Sequence, residues 1–200
     1  ADVTQAKDWY DALTGAEKDR LSKNGDAAAA REKLDRLVEQ KAGEIAESVA
    51  EDIRSADTVE EILSAKDRFD HLAEDAKNRV SDEDRETLRR KVEDAEAARK
   101  AAEQLAAADR PGASYEEKTA AREAYDKLTG ERKDLADKVS GTEEHYESVC
   151  ADLSAVDAVL DLLERIRRPY TPADKDRIEA AGEAYDKLKP QQKNAFPGVE

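Results

Sequence analysis

The stretch Ala121-Arg122-Glu123-Ala124-Tyr125-Asp126-Lys127-Leu128-Thr129 decides the fold, because the chain carries four versions of it. An aromatic residue, Asp and then Leu recur as Trp9-Tyr10-Asp11-Ala12-Leu13, Phe69-Asp70-His71-Leu72 and Tyr185-Asp186-Lys187-Leu188. The anchors Tyr10, Phe69, Tyr125 and Tyr185 lie 59, 56 and 60 residues apart. Ala stands four positions before each (Ala6, Ala65, Ala121, Ala181), and Lys eight after (Lys18, Lys77, Lys133, Lys193). Five positions matching in four copies make an internal repeat, and this period predicts an array of small supersecondary units stacked on their neighbours.

Upstream of the anchors stand helix-start signals. Thr58-Val59-Glu60-Glu61, Ser114-Tyr115-Glu116-Glu117 and Thr171-Pro172-Ala173-Asp174 are capping boxes or close variants, and Pro172 takes the first helical position. The apolar residues then follow helical spacing: Ile62, Ala65, Phe69, Leu72; Ala121, Tyr125, Leu128; Ile178, Ala181, Tyr185, Leu188. Downstream comes a break (Leu13-Thr14-Gly15, Leu128-Thr129-Gly130, Leu188-Lys189-Pro190), then a short helix with an apolar pair such as Leu135 and Val139. A second break, at Asn24-Gly25, Ser81 or Ser140-Gly141, precedes a long helix, predicted over 26–55, 82–108 and 142–167.

The long helices carry apolar seams. Tyr146, Val149, Leu153, Val156, Leu160 and Leu163 form a 3-4-3-4 pattern, and Val159, Leu162 and Ile166 add a second flank, so the last helix faces two partners. The first runs Leu34, Val38, Ala42, Ile45, Val49, Ile53. The middle one, with Leu88, Val92, Ala95, Ala102 and Leu105, is thinner and calls for close neighbours. Nothing reads as strand. The expected fold is all-α: tandem three-helix units (anchor, short, long helix) stacked into an elongated rod. The boundaries are 1–56 for repeat 1, which lacks the start of its anchor helix; 57–109 for repeat 2; 110–168 for repeat 3; and 169–200 for the start of a fourth.

Composition narrows the function. Of 200 residues, 42% are charged and only 4% aromatic, the balance of long helices with narrow seams. The net charge of −15 disfavours nucleic acid and anionic membrane, which select clustered Lys and Arg. No apolar run approaches the ~18 residues of a membrane span, and no signal peptide is visible. Cys150 is the single cysteine, so no intrachain disulfide forms. With Ala1 first and no Met, the sequence reads as a processed or excised piece.

The phrase resembles a repeat of large surface and secreted proteins of Gram-positive bacteria, in which tandem helical units carry a motif like A-R-x-A-Y-D-x-L-T-x-x-Q-K. Ala121 to Thr129 with Lys133 is the nearest version, the last copy keeps Gln192-Lys193, and Ala155 to Leu163 is similar to the long helix preceding the motif. The second copy departs, with Phe69 for Tyr and Ala73 for Thr. The resemblance implies an extracellular, cell-wall-associated segment acting as stalk or adhesive spacer, without catalytic residues. Asp57 to Leu63 also resembles one helix of albumin-binding three-helix modules.

Residue chemistry gives no competing site. The aromatic rings fall on the apolar stripe, and core packing outweighs a ligand role. His145 and Cys150 are five apart, off the spacing that puts ligands on one helical face, and His71 has neither residue type nearby. Glu144, Glu147 and Asp152 flank Cys150, against a reactive thiolate. Ser81-Asp82-Glu83-Asp84 lacks the Gly and terminal Glu of a calcium loop. No catalytic, cofactor-binding or metal-ligating residue is predicted. Tyr115, Tyr146 and Tyr170 near helix ends, and Arg165-Ile166-Arg167-Arg168, are the features open to a partner, although those Arg also suit a helix C-terminus. The first expectation is a monomeric structural spacer. The alternative is a helical binding module for a host protein such as immunoglobulin, albumin or a matrix component.

Overall fold

A computed structural model describes residues 3–23, 25–166 and 170–197. Among these residues every regular element is helical. The order is α1 (Val3–Asp11), α2 (Gly15–Ser22), α3 (Gly25–Ser55), α4 (Val59–Asp70), α5 (Glu74–Lys77), α6 (Asp82–Ala108), α7 (Tyr115–Asp126), α8 (Glu131–Lys138), α9 (Thr142–Glu164), a 3-10 turn at Pro172–Asp174, α10 (Lys175–Asp186) and α11 (Pro190–Ala195). The anchors thus close helices of 9 or 12 residues, each followed by a shorter helix. The predicted break at Asn24 lies outside the described residues, as do Arg167 and Arg168 of the basic run.

Caps set the helix starts. Ser114 accepts from the Glu117 amide at 3.1 Å, and the Glu117 carboxylate accepts from the Ser114 amide at 2.8 Å. Before α10 the Asp174 carboxylate accepts from the Thr171 amide at 3.0 Å and from the Thr171 hydroxyl at 2.8 Å. Two further caps were not read from the sequence. Thr14 and Glu17 cap α2. Ser81 accepts from the Asp84 amide and donates to its carboxylate at 2.7 Å, so the acidic run at 82–84 opens α6 as a cap. Gly141 ends the turn before α9 at φ +82, where an added Cβ would also meet His145 Nε2 at 3.3 Å.

The chain divides into two compact units, Ala1–Ala56 with Glu61–Arg90, and Asp57–Glu60 with Lys91–Glu200. In the first, α3 packs against α1, α2 and α5, and its core is Ala46, Val49, Ala50 and Ile53 with Ile62, Ala65, Ala76, Val80 and Leu88. In the second, α9 packs against α7 and α8 and also against α10 and α11, which is why it carries two apolar flanks. Val149, Leu153, Val156 and Val159 are each at most 2% exposed. Each such aliphatic side chain contributes about 1.5–3 kcal/mol on burial. The α6 stripe of Ala95, Ala98, Ala102, Leu105 and Ala108 is buried with little side-chain bulk.

The seams fade at their ends. Ile45, Leu163 and Ile178 are about two-fifths exposed, and Leu34 and Val38 are half-buried. Helix α9 ends at Glu164, short of the expected 167, and leaves Ile166 beyond it. Helix α5 has only 4 residues where the first copy's α2 has 8.

Candidate functional site

The repeated phrase folds into a clasp at the C-terminal end of α1, α7 and α10, while in the second copy Lys77 pairs with Glu74 instead. Tyr125 is 5% exposed, and its ring lies 4.6 Å from that of Tyr146. The repeated Lys sits over the repeated ring: Lys18 Nζ is 5.5 Å from the Tyr10 centroid, Lys133 5.0 Å from Tyr125 and Lys193 5.4 Å from Tyr185. Lys18 also donates to the Asp11 carbonyl at 2.9 Å, and Lys193 to the Asp186 carbonyl at 3.0 Å. A cation placed there satisfies an orphan carbonyl, favours the negative end of the helix and meets the ring face. Asp and Lys recur seven residues apart because one helix end needs both.

The hydroxyls join this packing. Tyr125 donates to Asp137, and Tyr146 to Asp126 at 2.8 Å. Burial, then Asp137, holds the Tyr125 phenol well above its ordinary pKa of 10. The hydrogen bond to Asp126, then burial and Cys150, does the same for Tyr146. Tyr115 donates to Asp157, which raises its pKa.

A buried ionic network in the second unit escaped the sequence reading. Lys118 and Asp152 are 1% and 2% exposed. Lys118 Nζ donates to Asp152 Oδ2 at 3.0 Å and to the Ala108 carbonyl at 2.9 Å, at the end of α6. Asp152 Oδ1 accepts from Gln192 Nε2 at 3.0 Å, so α6, α7, α9 and α11 meet at one charge pair. A signal for it existed. Lys118 occupies the repeat position, seven before the anchor, that holds Ile62 and Ile178 in other copies. A Lys on an apolar position calls for a buried counter-ion.

The residues weighed from sequence lie apart. His71 is exposed, with Nδ1 2.8 Å from the Asp67 carbonyl. His145 Nδ1 lies 2.8 Å from Asp109 Oδ2. Burial opposes ionisation of Asp109, but hydrogen bonds from Ser148 and His145 and the charges of His145 and Lys118 hold its pKa below the usual value. Cys150 is half-buried beside Tyr146. Tyr115 and Tyr146 are half-buried, and Tyr170 is 58% exposed. Among the described residues no group of three or more His, Cys, Asp or Glu side chains is placed to hold a metal ion.

Open apolar surface gathers in the first unit. Trp9 is 62% exposed, and Leu21, Leu37 and Ile45 about two-fifths. A groove of about 270 Å³ is lined by Tyr10, Leu21, Ala28, Ala30, Arg31 and Leu34. A second, of about 280 Å³, includes Val38, Ala42, Ile45, Leu72 and Ala76. No helix among the described residues is long and apolar enough to cross a membrane. Comparisons with family models, with curated proteins and with solved structures give no match.

Proposed function

We propose that this chain is a non-catalytic spacer: a stalk segment, built from stacked helical repeats, of an extracellular protein associated with a Gram-positive cell wall. The units are those bounded at 56, 109 and 168, and they stack end to end as a rod that acts as a monomer. The observation that carries this reading is the use to which the repeated residues are put. Ring, Lys and carbonyl of the phrase engage one another at 5.0–5.5 Å and about 3 Å, so what the repeat preserves is packing and not an outward-facing group. Among the described residues the charged groups with the least exposure, Lys118 and Asp152, are likewise turned on each other.

A second reading is favoured by one observation. Trp9, Leu21, Leu37 and Ile45 put more exposed large apolar side chains in the first unit than Leu163, Tyr170 and Ile178 do in the second. A helical binding module for a host protein presents such a patch on one unit. Immobilising the full chain and incubating it with serum and matrix proteins separates the two. A spacer retains nothing above a bare support. Retention of one protein, lost on Trp9→Ala with Leu37→Glu, establishes the binder.

A further inference from the structure

The exposed face of α1 and α2 has a covered counterpart within the same unit. One position before the anchor, Trp9 corresponds to Arg68; ten and eleven after it, Arg20 and Leu21 correspond to Arg79 and Val80. In the second copy this face lies against the preceding long helix. Arg68 pairs with Asp52 and donates to Ser48 at 3.2 Å, Arg79 pairs with Glu39 at 3.1 Å, and Val80 is 1% exposed. In the first copy Trp9 is 62% and Leu21 38% exposed, and Arg20 has no ion-pair partner among the described residues. The third copy keeps the pattern of burial, with Ala136 at the position of Leu21 and 0% exposed.

We propose that the Trp9–Arg20–Leu21 face is a docking site for one amphipathic helix of defined chemistry. That helix presents a seam of small and β-branched apolar residues, as α3 does with Ala46, Val49, Ala50 and Ile53. It sets a carboxylate against Arg20, as Glu39 stands against Arg79. Thirteen residues later, about 20 Å along the helix, it sets an apolar side chain against Trp9, because Trp9 replaces the Arg68 that pairs with Asp52. The charge pattern fixes direction and register, and the single Trp and Leu21 supply the apolar area. The proposal rests on the repeat reading but not on the spacer role.

Trp9 is the only Trp, so its fluorescence reports the face directly. The full chain is titrated with a synthetic peptide of residues 25–56, and with the same peptide carrying Asp52→Leu. A saturable blue shift is expected with both, tighter by about fivefold for the Asp52→Leu peptide, since an ion pair or apolar contact of this kind is worth on the order of one tenfold step or less. Arg20→Glu in the chain weakens binding by a similar factor. By calorimetry, Trp9→Arg reverses the peptide preference toward native Asp52. Both substituted positions of the chain, Trp9 and Arg20, are exposed, and circular dichroism checks that the variants keep their helices. No saturable shift with either peptide overturns the proposal, as does binding indifferent to Arg20→Glu and Asp52→Leu. A blue shift that grows with chain concentration alone assigns the face to a second copy and also overturns it. Capture of a serum protein would end the spacer reading while leaving the peptide result to stand or fall by itself.

Discussion

At the residue scale, Tyr125 and Lys118 are the two side chains whose environments make sharp demands. Tyr125 combines a buried ring, a Lys over its face and a hydroxyl given to Asp137. Tyr125→Ala is expected to cost about 3–5 kcal/mol, as other large aromatic truncations do, measured by urea unfolding. A loss below about 1 kcal/mol, typical of surface changes, would show that the ring is not core. Lys118 poses a different test, because a buried ion pair carries a desolvation cost close to its Coulombic gain. Lys118→Ile or Asp152→Val alone strands the other charge and should cost about 3–5 kcal/mol. The double variant should recover most of that loss, since Ile already fills this repeat position at Ile62, which is 2% exposed. Single losses that simply add would mean that the two charges are solvated independently.

At the element scale, the caps explain both what the sequence made legible and what it hid. The anchor helices and long seams could be read because period 3.6 and box residues agree there, as at Ser114 and Glu117. The Thr14 and Ser81 caps went unread because they lie in what looks like a break, where the same residues serve a turn. The Lys118–Asp152 pair was hidden for another reason: helical periodicity sorts residues by polarity and cannot show that two polar ones meet inside. Helix α5 shows the cost of losing a cap. Its N-cap is Ala73, with no side-chain hydrogen bond, and it spans 4 residues where Thr14-capped α2 spans 8. Ala73→Thr should therefore stabilise the chain by about 0.5–1 kcal/mol, and Ser114→Ala destabilise it by about 1 kcal/mol, both read by thermal unfolding. The boxes also set a pH dependence. Hydrogen bonds from Thr14, Ser114 and Thr171 hold Glu17, Glu117 and Asp174 below their usual pKa values of 4.5 and 3.8. A carboxyl depressed in the folded state lends stability that is complete above its unfolded pKa and is lost as pH falls through the folded one. The thermal midpoint should stay level from pH 7 to about 5 and drop below about 4, and Thr14→Ala with Ser114→Ala should shrink that drop.

At the scale of the whole molecule, the spacer reading turns on how the long helices are shared. Helix α9 packs against the anchor and short helices on both its sequence sides, α7 and α8 before it and α10 and α11 after it, and α3 packs against α1, α2 and α5. On the proposed spacer reading, a helix with two occupied flanks would pass the array on to the next pair, which is how quasi-one-dimensional proteins grow. Exposure agrees with this at Ile178. It shares a repeat position with Ile62 and Lys118, both buried where a long helix follows their anchor, yet it is 44% exposed where only α11 follows among the described residues. A chain of 200 residues folded into one ball would have a radius of gyration of about 16–17 Å. The proposed rod requires small-angle scattering to give a value well above that, with a distance distribution skewed to long vectors. Because the surface mixes 34 basic with 49 acidic groups, the result should hold when salt is raised from 0.05 to about 0.5 M, where screening falls below ~5 Å. A radius at the compact value, or one that collapses toward it with salt, would replace the rod with a folded-back bundle and leave the clasp as packing without a spacer.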